Sequence, residues 1–502
     1  MDQCSVSLRG RLLRAGQCLA VLSMLLTACN CLFLPFARAC YHVRLPVELA
    51  GLFLSLLAGV LFLTFTRGHE ARLFSLAAPL WLSLFFVVSV LIGYAMEYTP
   101  AGDNFMLYNG SELFAAEGSF ESNPGFGLYL ARFPNQWGCF WLMTFVRMIL
   151  NRLGVTQVFM PLVILQAALH TVGYGLLLRS VRKVYGIPTA FRLLLCLALF
   201  PPIYLASGNL YTDTLSLPFS LMAFALAVQS LSQAKSGECF THTALLCGLA
   251  SAFGAQIKMT VLIILIAAVL YGLLLFPLKK AVLFVLLTAL PVVLLTGWLH
   301  ALTLRSAVDP EVYRQQKTPF LHWIVMSIPT GDNPHGSYRW ADYDETWRLT
   351  DGGASRAELT RSLLTRMKDK IYTLRYPNRL FTALARKNAS IAGDGTFGMT
   401  EMLDDRPKRR NALSDWVLSD GPYYSFYLSF VTGIWLFHLA CATVHGLIAC
   451  RQRQTKDALA LIGFLGALLF LMSWETHSRY LFCFMPLCLF LSSRLFSPDP
   501  NP

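Results

Sequence analysis

A few polar residues stand where apolar runs end, and their types could support chemistry. Asp103 and Asn104, in "YTPAGDNFMLYNG", follow directly on an apolar run from Leu73 to Ala95. Tyr211 and Asp213, in "NLYTDTLSLPF", open another run, and Glu475, His477 and Arg479, in "SWETHSRYLF", precede a third. Lys258 interrupts the apolar stretch from Thr243 to Phe276, and Arg132 lies just before Pro134. A carboxylate within hydrogen-bond reach can accept a proton, and a guanidinium offers a planar fork that matches phosphate oxygens. Ionisable groups are cheaper at helix ends than at the bilayer centre, so one such acid marks water and little else. Their recurrence at several helix ends facing one surface points instead to a site. An unpaired ammonium at Lys258 would be costly, so it belongs at a break facing a cavity or snorkels outward.

The elements that position these residues follow from composition. Of 502 residues, 55% are hydrophobic and 14% charged, far from the balance of a water-soluble domain. Runs of about 20 apolar residues, enough to cross roughly 30 Å of hydrocarbon, recur along the chain. They predict an all-α polytopic membrane protein rather than a barrel of short alternating strands. The expected spans lie near 17–37, 47–66, 73–95, 155–178, 189–206, 214–231, 243–257, 260–276, 281–300, 424–448, 457–473 and 478–493, about 12 in all. The short apolar segment 137–150 carries Arg147 and is placed in or dipping into the outer interface.

With that segment excluded, the basic groups Arg9, Arg11 and Arg14, "RGHEAR", "RSVRKVYG", "PLKK" and "CRQRQTK" fall on one side, as the positive-inside rule wants. The net charge of +13 therefore reads as a topology signal, and no nucleic-acid partner is expected. Arg38 and Arg44 fall on the other side, against the rule. Three parts are expected: a membrane module over 1–300 with an outer loop at 96–154, a small extracytoplasmic cap over 301–421, and C-terminal membrane helices over 422–502. Both termini are expected in the cytoplasm. The basic start of the chain has the look of a signal peptide, but the apolar run continues without a convincing cleavage site, so a retained first helix is expected. The 13 cysteines sit mostly in apolar runs, and 301–421 has none, so neither a disulfide framework nor a zinc site is indicated.

Read in order, "PAGDNFMLYNGSELF", "YLARFPNQWGCFWLMTFVRMILNRLGV", "RSVRKVYG" and "LFPPIYLASGNLYTDTLSLPFSLMAFAL" resemble the membrane glycosyltransferases of the GT-C superfamily, in particular bacterial relatives of protein O-mannosyltransferases (glycosyltransferase family 39). "GAQIKMTVLI", "HWIVMSI", "DGTF" and "ETHSRYLFCFMP" look like later signatures of the same group. Two helices are added before the acid-bearing loop, and "IKMT" stands where many relatives have Lys-Pro-Thr.

The resemblance implies a GT-C-like bundle with its active site outside the cytoplasm. It implies transfer of a sugar, with inversion, from a polyprenyl-phosphate carrier to a glycan or protein acceptor in the cell envelope. Asp103 would be the catalytic base, since a lipid-held phosphate lies at headgroup depth and the base must stand at a membrane helix end. Arg479, then Lys258 and Arg132, would bind the donor phosphate. Asn104, Tyr211, Asp213, Glu475 and His477 would bind substrate or assist. No cofactor beyond the lipid-linked donor and no metal is expected. Blander readings stand beside these: Glu475 and Arg479, four apart, could form an i to i+4 ion pair, Asp213 could pair with an arginine structurally, and Arg132 could touch lipid phosphate. Trp137, Trp323 and Trp340 could stack on sugars, though most such residues are belt or core. Two other functions compete: a ligase or polymerase moving a whole lipid-linked glycan, and a lipid-linked-sugar flippase, which would place its polar residues near mid-membrane.

Overall fold

The computed structural model describes residues 8–401 and 407–496; the extreme termini, expected in the cytoplasm, lie outside the described residues. Those residues are helical, apart from loops and an isolated bridge between Tyr98 and Pro407. Among them, seven helices are long and apolar enough to cross a membrane: Leu8–Phe33, Leu45–Thr66, Glu70–Ala95, Phe159–Tyr185, Thr212–Ser236, Leu278–Ser306 and Tyr424–Arg451.

Five other expected spans take shorter or broken forms. Ile187–Ala198 and Pro202–Gly208 form a pair bent by 66° at Pro201 and Pro202, where the missing amide donor and the ring interrupt the helix. Thr241–Ile257 and Met259–Leu275 are separated by Lys258, which is extended at φ −150°. Ala458–Ser473 has 16 residues. The last expected span divides into a 3₁₀ turn, Ser478–Phe484, and a helix, Met485–Leu495. Segment 137–150 lies within the helix Trp137–Arg152, whose Arg147 is buried with its guanidinium over the Tyr108 ring and bonded to Ser111.

An apolar helix without a polar face must be wrapped by protein or by lipid, and both cases occur. Thr212–Ser236 is enclosed almost all round by Phe159–Tyr185 and Thr241–Ile257, whereas Leu45–Thr66 rests on Tyr424–Arg451 and is otherwise bare. Lipid is as apolar as leucine, so helix contact in a membrane rests on close packing at small residues. A Cβ on Gly433 would lie 2.0 Å from the Glu48 carbonyl oxygen, and one on Gly51 would lie 2.2 Å from that of Phe430. Both obstacles are backbone atoms that no rotamer can move. Gly433→Ala is therefore expected to destabilise the protein by about 1–3 kcal/mol, seen as a lowered melting temperature in detergent; an unchanged value would refute this packing. The basic residue Arg38, on the unexpected side, is neutralised by Glu48 at 3.0 Å.

The long hydrophilic segment folds into short helices, among them Phe320–Ser327, Trp340–Asp351, Arg356–Thr373 and Pro377–Ala392. A small apolar cluster of Val325, Leu359 and Leu363, with Leu349 packed against it, joins three helices of the segment. It meets one end of the bundle: Ser327 Oγ donates to the Ser473 carbonyl at 3.1 Å, Asn30 to that of Ala385 at 2.8 Å, and Asn411 to that of Ala95 at 2.8 Å. Lys387 is wholly buried there, with Nζ donating to the Ser327 carbonyl at 2.6 Å. Burial pushes its ammonium down to about 7, the charge of Glu475 opposing the shift.

The sign of the linkage is fixed by that depression. Between about pH 7 and pH 10.5 the unfolded chain holds a proton at this site that the folded one lacks, so stability rises with pH across the window. Lys387→Met is expected to remove this rise, flattening melting temperature between pH 7 and 9; an unaltered slope would rule out the buried ammonium as its source.

Candidate active site

The polar residues at the helix ends come together at the end of the bundle covered by this segment. Gly102, at φ +53°, turns the chain from Glu70–Ala95 into the helix Gly102–Glu117, a conformation that favours glycine. Asp103 thereby falls in the first turn, where the helix dipole favours a carboxylate. Its Oδ1 accepts from the Tyr129 hydroxyl at 3.0 Å and its Oδ2 from that of Tyr211 at 2.9 Å. Asp103 is half-buried, so it keeps an open side. Burial first, and the charge of Asp103 second, push both phenols well above their usual range. They remain protonated donors.

Tyr211 joins the two halves of the site. It precedes the helix Thr212–Ser236, and Thr214 Oγ1 accepts from its amide at 3.4 Å; Asp213 follows two residues after it in the first turn. Asp213 is fully buried and pairs with Lys258. Arg479 Nε lies 3.6 Å from Asp213 Oδ2, and its guanidinium sits 5.5 Å from the Tyr211 ring centre. Among the described residues, Asp213 Oδ2 and Arg479 Nε each have no hydrogen-bond partner. Lys258 Nζ is 4.1 Å from the centre of the Tyr480 ring. The break between two short helices thus turns Lys258 inward to an acid rather than outward to lipid headgroups.

The arginine is held by a loop. Residues 474–477 are not helical, with Trp474 at ψ 169° and His477 at φ −157°, so the alternative i to i+4 pair of Glu475 with Arg479 does not form. Glu475 Oε1 instead accepts from the Tyr480 hydroxyl at 2.9 Å. Burial raises the Glu475 carboxyl, with the charge of Arg479 and the Tyr480 bond opposing. His477 Nδ1 accepts the Arg479 amide at 3.3 Å, which puts the proton of a neutral ring on Nε2, 2.7 Å from Glu401 Oε2.

Glu401, Tyr129 and Tyr480 join the site although their sequence context marks none of them. Glu401 is placed by the loop that opens at Asp394. The Asp394 carboxylate accepts from the Thr396 amide at 2.8 Å, the Thr396 hydroxyl at 2.6 Å, the Gly398 amide at 2.9 Å and the Ser478 hydroxyl at 2.8 Å. Phe397, at φ +55°, is a bulky residue in the left-handed region, a strain of order 1–3 kcal/mol. Its ring is held at 5.0 Å from Trp435 and 5.7 Å from Phe482. The "DGTF" fragment thus acts through its backbone and a buried acid.

Two of the expected contributors lie elsewhere. Arg132 is bound to Gln316 at 3.0 Å and Asp351 at 2.6 Å, with its guanidinium over Trp347. It clamps the hydrophilic segment rather than joining Lys258 and Arg479. Asn104 is buried and donates to the Tyr98 hydroxyl, so it neither orients the Asp103 carboxylate nor faces a substrate. Among the tryptophans, Trp137 is buried and donates to the Leu130 carbonyl, Trp323 stacks on Trp474 at 5.7 Å, and Trp340 is exposed beside Trp347. The acids of 331–345 are taken by cations, Asp332 by Arg339 and Asp342 by Arg366 and Lys370.

No curated protein and no solved structure matches the chain. A family model described as conserved hypothetical integral membrane protein matches residues 157–498, a stretch that includes Asp213, Lys258 and Arg479 and begins after Asp103. Matched over more than half of its length, the chain belongs to that family of integral membrane proteins.

Proposed function

We propose that this protein is a membrane glycosyltransferase that moves a sugar from a polyprenyl-phosphate carrier to a hydroxyl of a cell-envelope glycan or protein. The observation that carries this reading is the convergence of an accessible carboxylate, Asp103, with two cations: Arg479 faces the ring of Tyr211, whose hydroxyl bonds Asp103, and Lys258 joins Arg479 through the Asp213 carboxylate. Inverting transfer needs both. The acceptor hydroxyl gives its proton to Asp103 as its oxygen bonds to the anomeric carbon. The bond from that carbon to the phosphate oxygen breaks, and the electron pair leaves with the lipid phosphate. Lys258 and Arg479 stabilise the charge as it grows. Asp213 acts as the resident counter-ion that keeps the two cations in place before donor arrives. Tyr129 and Tyr211 hold the base aimed.

In this reading the chain crosses the membrane 12 times, the broken and short helices included. The hydrophilic segment then forms an outer cap, and the basic loops "RSVRKVYG" and "CRQRQTK" face the cytoplasm. The test supplies purified protein in detergent with a polyprenyl-phosphate monosaccharide and, in parallel, a diphosphate-linked oligosaccharide. Consumption of the first supports the proposal; consumption of the second alone moves it to a glycan ligase. Turnover of neither, with tight binding retained, would favour transport.

A further inference from the structure

A lateral groove lies away from these residues. Its volume is about 260 Å³, slightly under the roughly 300–1,000 Å³ of built ligand sites, as suits an open groove that holds part of a chain. Leu45–Thr66 forms one wall, Tyr424–Arg451 the back and Ile187–Ala198 the other wall. Ala58 and Gly59 leave its centre open, and the nearest atom to a Cβ on Gly59 would be Phe437 Cζ at 3.6 Å. The lining is mostly apolar, with Ser55, Thr66 and His438 as polar members and Arg192 as a charged one. Arg192 stands one turn into its helix, on the same side of the bundle as the basic loops.

Arg192 is poorly served by the protein. Among the described residues its buried Nη1 has no hydrogen-bond partner, and its Nη2 is 3.8 Å from Glu70 Oε1, which is beyond a hydrogen bond. A guanidinium largely withdrawn from solvent, with its side chain 13% exposed and with idle donors, is costly unless an anion completes it. The apolar slot beneath it admits hydrocarbon, and basic pockets between membrane helices on the cytoplasmic side recognise acidic headgroups. We infer that this groove is a binding site for an anionic phospholipid, with its phosphate on Arg192 and an acyl chain along Gly59. Among the described residues the Leu45–Thr66 helix packs chiefly on Tyr424–Arg451, so a lipid there would brace it against Ile187–Ala198. This inference does not depend on the proposed transferase reaction.

The test is native mass spectrometry of the full-length protein offered phosphatidylglycerol and phosphatidylcholine of equal acyl length. The wild type is expected to retain phosphatidylglycerol by about tenfold or more over phosphatidylcholine. Arg192→Gln is expected to abolish that preference. Gly59→Leu, which fills the slot and leaves the cation, is expected to release both lipids, and Glu70→Gln to retain phosphatidylglycerol at least as well as the wild type. Equal retention of the two lipids by the wild type would overturn the site, as would an unchanged preference in Arg192→Gln. Displacement of phosphatidylglycerol by millimolar inorganic phosphate in both the wild type and Gly59→Leu would show a free-anion pocket and also overturn it. Should Arg192→Gln fail to elute as a folded species, Gly59→Leu decides alone: phosphatidylglycerol retained there as in the wild type refutes the groove.

Discussion

Asp103→Asn is expected to lower turnover of a polyprenyl-phosphate sugar by about 10²- to 10⁴-fold without unfolding the protein. Asparagine has the shape of aspartate, and its carbonyl oxygen still accepts from one of the two tyrosines, while the hydroxyl of the other can rotate to accept from the amide. What is lost is the capacity to take a proton. The loss should therefore fall on kcat, with KM for donor little changed, because the interaction is made only as the hydroxyl ionises. Tyr211→Phe should show a smaller loss, since Tyr129 still holds Oδ1. Near-normal turnover in Asp103→Asn, in protein with unaltered melting, would remove Asp103 as the base and with it the central element of the mechanism.

Asp213→Asn is expected to act on stability as well as catalysis. The wild-type carboxylate is fully buried between Lys258 and Arg479. Neutralising it leaves two like charges facing each other around an uncharged amide, and breaking a buried pair from one side typically costs about 3–5 kcal/mol. Melting temperature and folded yield in detergent should both fall. The double variant Asp213→Asn/Lys258→Met removes one stranded cation, and Arg479 keeps a carboxylate, Glu401, at 3.9 Å. That variant should recover much of the stability but not the turnover, because one of the two phosphate-binding charges is gone. An Asp213→Asn protein that melts like the wild type would show that the cluster bears little strain. Restored turnover in the double variant would show that Lys258 does not serve the donor.

The composition alone is sufficient to make this an all-helical membrane protein, and most long spans were legible within a few residues. Hydropathy reads the average of a window, so it located Leu45–Thr66 and Glu70–Ala95 well. It separated 243–257 from 260–276 at Lys258 but left open whether Lys258 turns inward, and it could not tell that Pro201 and Pro202 bend another stretch by 66°. Those outcomes depend on neighbours that satisfy the freed backbone groups. The acids and bases of the candidate site were visible because charge at the edge of an apolar run is conspicuous. Tyr129, Tyr480 and Glu401 were not, since a tyrosine near an interface or a glutamate in a polar loop carries no such contrast.

What the chain determined by itself was a set of helix ends and the side of the bundle on which each polar residue falls, because solvation free energy is a local property of a segment. Which charges meet was decided by tertiary structure. Asp213 and Arg479 are far apart in sequence, and Asp103 is linked to them through the Tyr211 hydroxyl and ring. Arg132 looked equivalent to Arg479 as a basic residue near a helix end, yet packing gave it Asp351 and Trp347 instead. Electrostatic pairing falls off over a few ångströms when charges are solvated and persists when they are buried. The identity of each partner therefore rests on how the helices pack.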